Sequence, residues 1–195
     1  AFFGGMFFGL IFATIRTFGN NISNKIVICY VTFFTNTPQL VQIYFLFFAL
    51  PEFGILLSPY IAVLLGMTLN AAAYLCEIQR AGFLSIRQNE LDAAKTLNFS
   101  LVQQVKYVIL PHIMKVLFPP LSNHYIIMTL GTSMAAIFGV EELTGRAFNI
   151  NSETFRSVEI FSITALIYIV ITFIATFLLA VIGRYFFKAK IRIIQ

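Results

Sequence analysis

Charge is scarce in this chain. Thirteen Lys and Arg and eight Asp and Glu make up only 11% of its 195 residues, against roughly 25% in an average soluble domain. That shortage, with 59% hydrophobic residues gathered in long runs, excludes an ordinary soluble globule and identifies an integral membrane protein. Ten-residue alternating segments are lacking as well, which excludes a barrel; the spans must be helices. No basic patch exists either. The net charge of +5 is spread over loop and helix ends, so nucleic acid is not a partner. Cysteine is reduced to Cys29 and Cys76, far apart within apolar stretches, and both are expected as packed thiols. His112 and His124 have no Cys or carboxylate at ligand spacing, which excludes a metal site. No Gly-x4-Gly-Lys-Ser/Thr loop and no nucleophile–base cluster are present, so this chain is expected to be no enzyme, to hold no cofactor and to leave ATP to another chain. Tryptophan is absent while phenylalanine reaches 23; no function attaches to that balance.

What is present is room for about five spans of roughly 20 residues. Apolar runs predict helices near 1–18, 26–50, 54–80, 117–139 and 159–186. The chain starts at Ala1 with a short apolar run, read as a span entered partway; no basic residue precedes it, as a secretory signal would require. The second run is interrupted by "TNTPQ", where Pro38 removes a hydrogen bond, so a kink or break is expected with the apolar ladder resuming at Leu40. Basic residues then orient the bundle. Arg16 and Lys25, the group from Arg80 to Lys115, and Arg184, Lys188, Lys190 and Arg192 share one side; Arg146 and Arg156 lie on the other. With the N-terminus outside, eleven of the thirteen basic residues are cytoplasmic, which favours N-out and C-in. Small residues recur every fourth position in two spans, Gly5, Gly9 and Ala13, then Gly131, Ala135 and Gly139. Either stripe suits close packing within the chain, a dimer seam or a pore wall.

The stretch "DAAKTLNFSLVQQVKYVILP", residues 92–111, breaks the apolar pattern and falls on the cytoplasmic side. Ser85 and Asn89 are candidate N-caps, with Asp92 in the first turn. Leu91, Ala94 and Leu97 form one apolar stripe. Asn98 tolerates the left-handed conformation that ends a helix. Ser100 with Gln103 is a capping-box pattern for a second helix, in which Leu101, Val105 and Val108 face one way and Gln103, Gln104 and Lys106 another, with a stop or bend at Pro111. Such a pair can pack on its own bundle, lie at the membrane interface or dock into another protein's groove. Its mixed charge and small side chains suit a protein surface.

Isolated polar residues inside the spans are the other candidates. Glu77 lies in the third span with Arg80 and Asn70 on the same face; it is either functional or an anchor for the adjoining loop. Gln42 and Asn70 either line a translocation path or form interhelical hydrogen bonds. Glu141, Glu142, Arg146, Glu153, Arg156 and Glu159 make a polar outer loop, either solvated or in contact with a binding protein.

Residues 92–111 also resemble the cytoplasmic motif of ABC importer permeases, Glu-Ala-Ala-x3-Gly-x9-Ile-x-Leu-Pro. At the same spacing stand Asp92-Ala93-Ala94, Asn98, Val108 and Leu110-Pro111. "TPQLVQIYFLFFALP" (37–51), "LNAAAYLCEIQRAGFLSI" (69–86), "VILPHIMKVLFPPLSNHYI" (108–126) and "TSMAAIFGVEELT" (132–144) resemble, in order, segments of the polar amino acid permeases of the histidine/glutamine type. The likeness covers essentially the whole chain. It implies an all-α integral membrane fold, a five-helix core with N-out and C-in, as one domain over 1–195 with a cytoplasmic coupling loop at about 82–111. It further implies a transmembrane subunit of an ATP-driven, binding-protein-dependent amino acid importer of the bacterial cytoplasmic membrane. Asp92, Ala93, Ala94, Lys95, Asn98, Leu110 and Pro111 would then engage a cytoplasmic ATP-binding subunit. Gln42, Asn70, Glu77, Thr132 and Ser133 would line the substrate path. The implied partners are that ATPase, a second permease subunit, an extracytoplasmic substrate-binding protein, an amino acid and membrane lipid.

Five positions outside the motif depart from the family's usual residues. Leu130 and Gly131 stand where Lys-Asp is usual, Thr35 and Asn36 where Arg-Gly is usual, and His112 where Gln is usual. The competing reading is a gradient-driven secondary transporter of small polar solutes, which would bury ionisable groups at the midplane and show paired broken halves. Neither feature is evident.

Overall fold

Two helices carry the architecture because they are long and apolar enough to cross a bilayer, Pro59–Leu84 and Ser157–Phe186. The structure, a computed structural model, describes residues 1–187. In chain order its α-helices are α1 (Phe2–Phe18), α2 (Asn21–Thr35), α3 (Gln39–Tyr44), α4 (Pro59–Leu84), α5 (Gln88–Thr96), α6 (Leu101–Gln104), α7 (Leu110–Gly131), α8 (Leu143–Thr154) and α9 (Ser157–Phe186). Lys188, Lys190 and Arg192 of the expected terminal basic group lie outside the described residues.

Helix α4 is the hub. Its small residues Ala62, Gly66, Ala71, Ala72, Ala73 and Gly82 are buried, so neighbouring helices approach it closely from several sides. The most extensive packing in the fold is between α1 and α4. There the Gly5–Gly9–Ala13 stripe is an intrachain seam: all three residues are buried, and a Cβ on Gly9 would lie 3.0 Å from Cys76 N and 3.1 Å from Ala72 O. Two apolar clusters flank the hub. Ile43, Met67, Leu75, Met128 and Phe138 form one; Ala13, Val27, Val31 and Cys76 form the other.

The expected second span is not one helix. It ends at Thr35, restarts at Gln39 rather than Leu40, and turns by 103° between the two parts. Pro38 explains the break, since it cannot donate to the carbonyl of Phe34 and its ring disfavours helical geometry in the residue before it. Prolines elsewhere are absorbed. Pro111 does not stop the helix; it runs from Leu101 through a π-helical stretch, Val105–Ile109, into α7. A matching π-helical stretch, Phe45–Ala49, precedes Pro51. In both places the wider turn moves aside the carbonyl that the pyrrolidine ring would otherwise meet. The fourth apolar run therefore begins well before residue 117. It also changes character at its far end, where Thr132–Phe138 is a 3₁₀-helix and Gly139 turns left-handed at φ +77°. Gly131, Ala135 and Gly139 consequently share no α-helical face, and of the three only Ala135 is buried within the chain.

Other expectations need correction. Helix α5 starts after Arg87 with no side-chain cap, so neither Ser85 nor Asn89 is its N-cap. Cys76 is buried, but Cys29 is exposed. Glu142 does not belong to a freely solvated loop. Its carboxylate caps α8 at Gly145 N, 2.8 Å, and accepts from the Tyr168 hydroxyl of α9 at 2.9 Å.

Candidate functional site

The polar elbow at residues 92–111 is built from two local signals back to back. At the end of α5, Asn98 adopts φ +54°. Its N–H donates to Lys95 O at 2.9 Å, and Phe99 N–H donates to Ala94 O at 3.1 Å, the paired bonds of a Schellman ending. Ser100 then opens α6. Gln103 N–H donates to the Ser100 hydroxyl, and Ser100 N–H donates to Gln103 Oε1 at 2.8 Å, completing the capping box. One helix thus ends and the next begins within a few residues, with several of the end N–H and C=O groups paired.

Burial divides the elbow into an anchored side and a free side. Ala94 is 2% exposed and Gln104 is also buried, its amide donating to Phe99 O at 2.9 Å. Gln104 therefore faces inward, against the expectation that it would share a water-facing side with Gln103. Asp92, Ala93 and Lys95 are exposed, as are Leu110 and Pro111 at the far end. So are Leu97, Leu101, Val102 and Val105, an apolar patch beside charged residues. Asp92 is ordered by Gln88 at 2.9 Å and Lys95 at 3.6 Å.

His112, one residue beyond Pro111, ties this elbow to the bundle. Its Nε2 lies 3.2 Å from both the hydroxyl and the carbonyl oxygen of Ser85 at the end of α4. Its Nδ1 lies 3.3 Å from Glu90 Oε2 of α5. The sequence marks this histidine as a departure from the family's usual Gln and as no metal ligand; its contacts with Ser85 and Glu90 are visible only in the structure.

The second polar centre sits at the broken helix. Phe34 O, deprived of a donor by Pro38, accepts from Gln42 Nε2 at 3.0 Å and Asn70 Nδ2 at 3.2 Å. Gln42 Nε2 also reaches the Thr37 hydroxyl at 2.6 Å, and Asn70 Nδ2 donates to Gln42 Oε1 at 3.1 Å. These two candidates are thus brought together as interhelical glue. Tyr74 donates to Thr35 O at 3.3 Å. Next to this brace opens a cavity of about 530 Å³, lined in part by Thr35, Asn36, Gln39, Asn70, Tyr74 and His124. The imidazole of His124 lies between Phe2 and Tyr74, and its Nε2 has no hydrogen-bond partner among the described residues.

Replacing Gln42 by Leu should leave Phe34 O with a single donor and Asn70 Nδ2 with Phe34 O as its one remaining acceptor. Burying unpaired polar groups costs about 1–3 kcal/mol, so the detergent-solubilised chain should lose several degrees of thermal midpoint, roughly 2–4 °C per kcal/mol. An unchanged midpoint would show that the brace contributes nothing.

Glu77 is drawn into an ion cluster rather than a simple pair. Arg80 contacts it at 3.1 Å, as expected, and Arg16 of α1 contacts its other oxygen. The cluster joins the ends of α1 and α4. Thr132 and Ser133 lie apart from the Gln42–Asn70 brace in the hydrogen-bond network, each donating back to its own helix, at 2.7 Å to Thr129 O and 2.8 Å to Leu130 O.

Comparison with known proteins gives one consistent picture. The sequence profile described as "Binding-protein-dependent transport system inner membrane component" matches residues 5–188. The glutamine transport system permease protein GlnP of Escherichia coli (strain K12) is 36% identical over 183 residues, covering 93% of this chain and 84% of that protein. The octopine transport system permease protein OccM of Rhizobium meliloti is 36% identical over 162 residues, covering 78% and 66%. Among solved structures, an amino acid ABC transporter crystallised with histidines superposes at TM-score 0.86 with 29% identity, covering 94% of this chain and 86% of that one. The MetNI methionine ABC transporter, in inward-facing conformations, superposes at TM-score 0.69 with 17% identity, covering 94% and 89%; that likeness concerns the fold alone.

Proposed function

Because the chain belongs to the binding-protein-dependent transport system inner membrane component family, we propose that it is the transmembrane subunit of an ATP-driven amino acid importer. The observation that carries this reading is the elbow. A Schellman ending and a capping box present Asp92, Ala93 and Lys95 on an exposed face while Ala94 is held inside. A rigid, polar and small-sided projection of this kind suits docking into a groove of a separate ATPase. Asn98, Leu110 and Pro111 shape its two ends. In this reading residues 1–195 form one transmembrane domain whose coupling loop is about 82–111.

Five spans fit the helices. They are α1, the broken α2–α3, α4, the continuous helix from α6 through α7, and α9, with the N-terminus outside and the C-terminus in the cytoplasm of a bacterium. The basic residues Arg80, Arg87, Lys95, Lys106 and Lys115 then flank the elbow on the cytoplasmic side, as the positive-inside rule requires. A second permease subunit, identical or similar, and an extracytoplasmic binding protein complete the assembly. The relatives are a glutamine and an octopine permease, and the closely superposing transporter was crystallised with histidines, which supports an amino acid as cargo. The cavity beside Gln42 and Asn70 offers it polar contacts, with Glu77 toward the cytoplasmic end of the path and Thr132 and Ser133 toward the outer end.

The test is uptake in proteoliposomes holding the permease, its ATPase and its binding protein. Uptake should require ATP and binding protein and should persist when proton and sodium gradients are collapsed. Uptake that disappears with the gradients would mark a secondary transporter instead.

A further inference from the structure

The cavity beside the broken helix has a polar wall without a carboxylate, ammonium or guanidinium. At about 530 Å³ it has the size of a small-molecule site, and no Asp, Glu, Lys or Arg lines it. Several of its donors are already committed. The Thr35 hydroxyl donates to Val31 O at 2.8 Å, the Tyr74 hydroxyl to Thr35 O at 3.3 Å, and the Asn36 amide to Thr32 O at 2.8 Å. Asn70 Nδ2 donates to Phe34 O and to Gln42 Oε1. A hydroxyl has one hydrogen to give, so Thr35 and Tyr74 can only accept from a guest, and Asn70 offers its Oδ1. The Gln39 carboxamide brings both donors and an acceptor to the wall. His124 Nε2 is buried with no partner among the described residues.

We propose that this cavity selects cargo amino acids whose side chains are polar but uncharged, a carboxamide fitting best, and that Gln39 and His124 are its specificity-determining residues. This rests on the import function proposed above and names the cargo class of that site. The two backbone charges of a free amino acid cancel, so its side chain decides whether the guest carries a net charge. A carboxamide gives its N–H groups to the acceptor-rich wall and takes a hydrogen from Gln39. A guanidinium or ammonium finds the acceptors but no countercharge, and a carboxylate finds no cation; a buried charge without a partner is costly. An apolar side chain leaves the wall groups unpaired, which also costs binding. The broken helix supports a guest at this place too. Irregular backbone at membrane depth is tolerated where it lines a cavity, and α2 and α3 turn by 103° at its edge. A charge could be added there without displacing backbone. A Cβ on Gly131 would lie 3.9 Å from Gln39 Oε1, and its closest neighbour would be the flexible end of Met134 at 3.7 Å.

The experiment uses the detergent-solubilised complex of permease and ATPase without binding protein, so that the membrane subunit alone reads the cargo. Binding of radiolabelled glutamine, arginine, glutamate and leucine is measured by equilibrium dialysis. Glutamine should bind tighter than each of the other three by about tenfold or more. Gly131→Asp places a carboxylate beside Gln39 and should move the ratio of arginine to glutamine binding by about tenfold toward arginine. His124→Phe keeps a flat ring but removes the unpaired nitrogen; it should weaken glutamine by about tenfold and narrow its lead over leucine. A packing role alone would lower the amount of folded complex without changing the ranking of the four amino acids. Arginine or glutamate bound as tightly as glutamine, or a ranking that neither variant changes, overturns the selectivity; ATP-driven uptake by the same complex leaves the import function standing. Absence of binding by all four overturns the cavity as a cargo site. Uptake that needs no ATP overturns the import function and the cargo site with it.

Discussion

Ala93→Glu should insert into the membrane normally yet lose ATP-dependent uptake by at least tenfold, the equivalent of about 1.4 kcal/mol. The reasoning starts from the two neighbouring alanines. Ala94 is 2% exposed and packs inside the elbow, whereas Ala93 is exposed on the face that carries Asp92. Glutamate is a good helix former, so the substitution leaves α5 and its Schellman ending intact. What it adds is bulk and a negative charge on a surface whose small side chains permit close approach. A charge buried without a partner in an interface costs several kcal/mol, more than enough to prevent docking. Ala93→Ser, nearly isosteric, should retain most of the uptake. Co-purification with the ATPase separates the causes: the Glu variant should lose the ATPase, while its amount in the membrane stays constant. Full uptake by Ala93→Glu would remove residues 92–98 from the coupling contact.

The second large effect is expected at the seam between α1 and α4. In Gly9→Leu a Cβ would stand 3.0 Å from Cys76 N and 3.1 Å from Ala72 O. Those are backbone atoms of a buried helix and cannot swing aside. Forcing methylenes into a packed core typically costs about 1–3 kcal/mol, and each kcal/mol lowers the midpoint by roughly 2–4 °C in a chain of this size. The thermal midpoint in detergent should therefore fall by roughly 2–12 °C. Gly131→Ala is the matched comparison. It comes from the other stripe of small residues, but its Cβ would find its nearest neighbour at 3.7 Å, the flexible end of Met134. That variant should shift the midpoint by less than about 2 °C. Equal losses in the two variants would mean that close approach of α1 to α4 does not hold the bundle together.

These two stripes also show where reading a sequence reaches its limit. Both have small residues at four-residue intervals, so they look alike as text. One becomes a helix–helix seam because α4 opposite it is also built from small residues, Ala71, Ala72 and Ala73. The other crosses into a 3₁₀-helix that ends at a left-handed Gly139, which rotates its residues off a common face. The elbow was far more legible. Asn98 in the left-handed region and the Ser100–Gln103 box are local signals, decided by a few adjacent residues, and both occur where the pattern places them. The start of its first helix, the stop expected at Pro111 and its inward side were misjudged, the last because Gln104 is buried by contacts that no local pattern reports.

At the broken helix the sequence supplied the cause and not the consequence. Pro38 announces a missing hydrogen bond, yet nothing nearby says that Asn70, far along the chain, will supply part of the replacement. His112 is similar. The sequence shows it as a departure from the family's usual Gln without metal-ligand neighbours, and its contacts with Ser85 and Glu90 appear only once those elements meet.

By itself the sequence determined that this chain is a helical membrane protein with a polar elbow at residues 92–111, and which family it belongs to. Hydrophobic run length, capping residues and motif spacing act over a turn or two of chain, so their outcome is written where they stand. Only the tertiary structure decided which stripe packs, which carbonyl Gln42 and Asn70 satisfy and what His112 holds. Those outcomes depend on groups from separate helices meeting within hydrogen-bond or van der Waals distance, and that distance is set by how the whole bundle closes around α4.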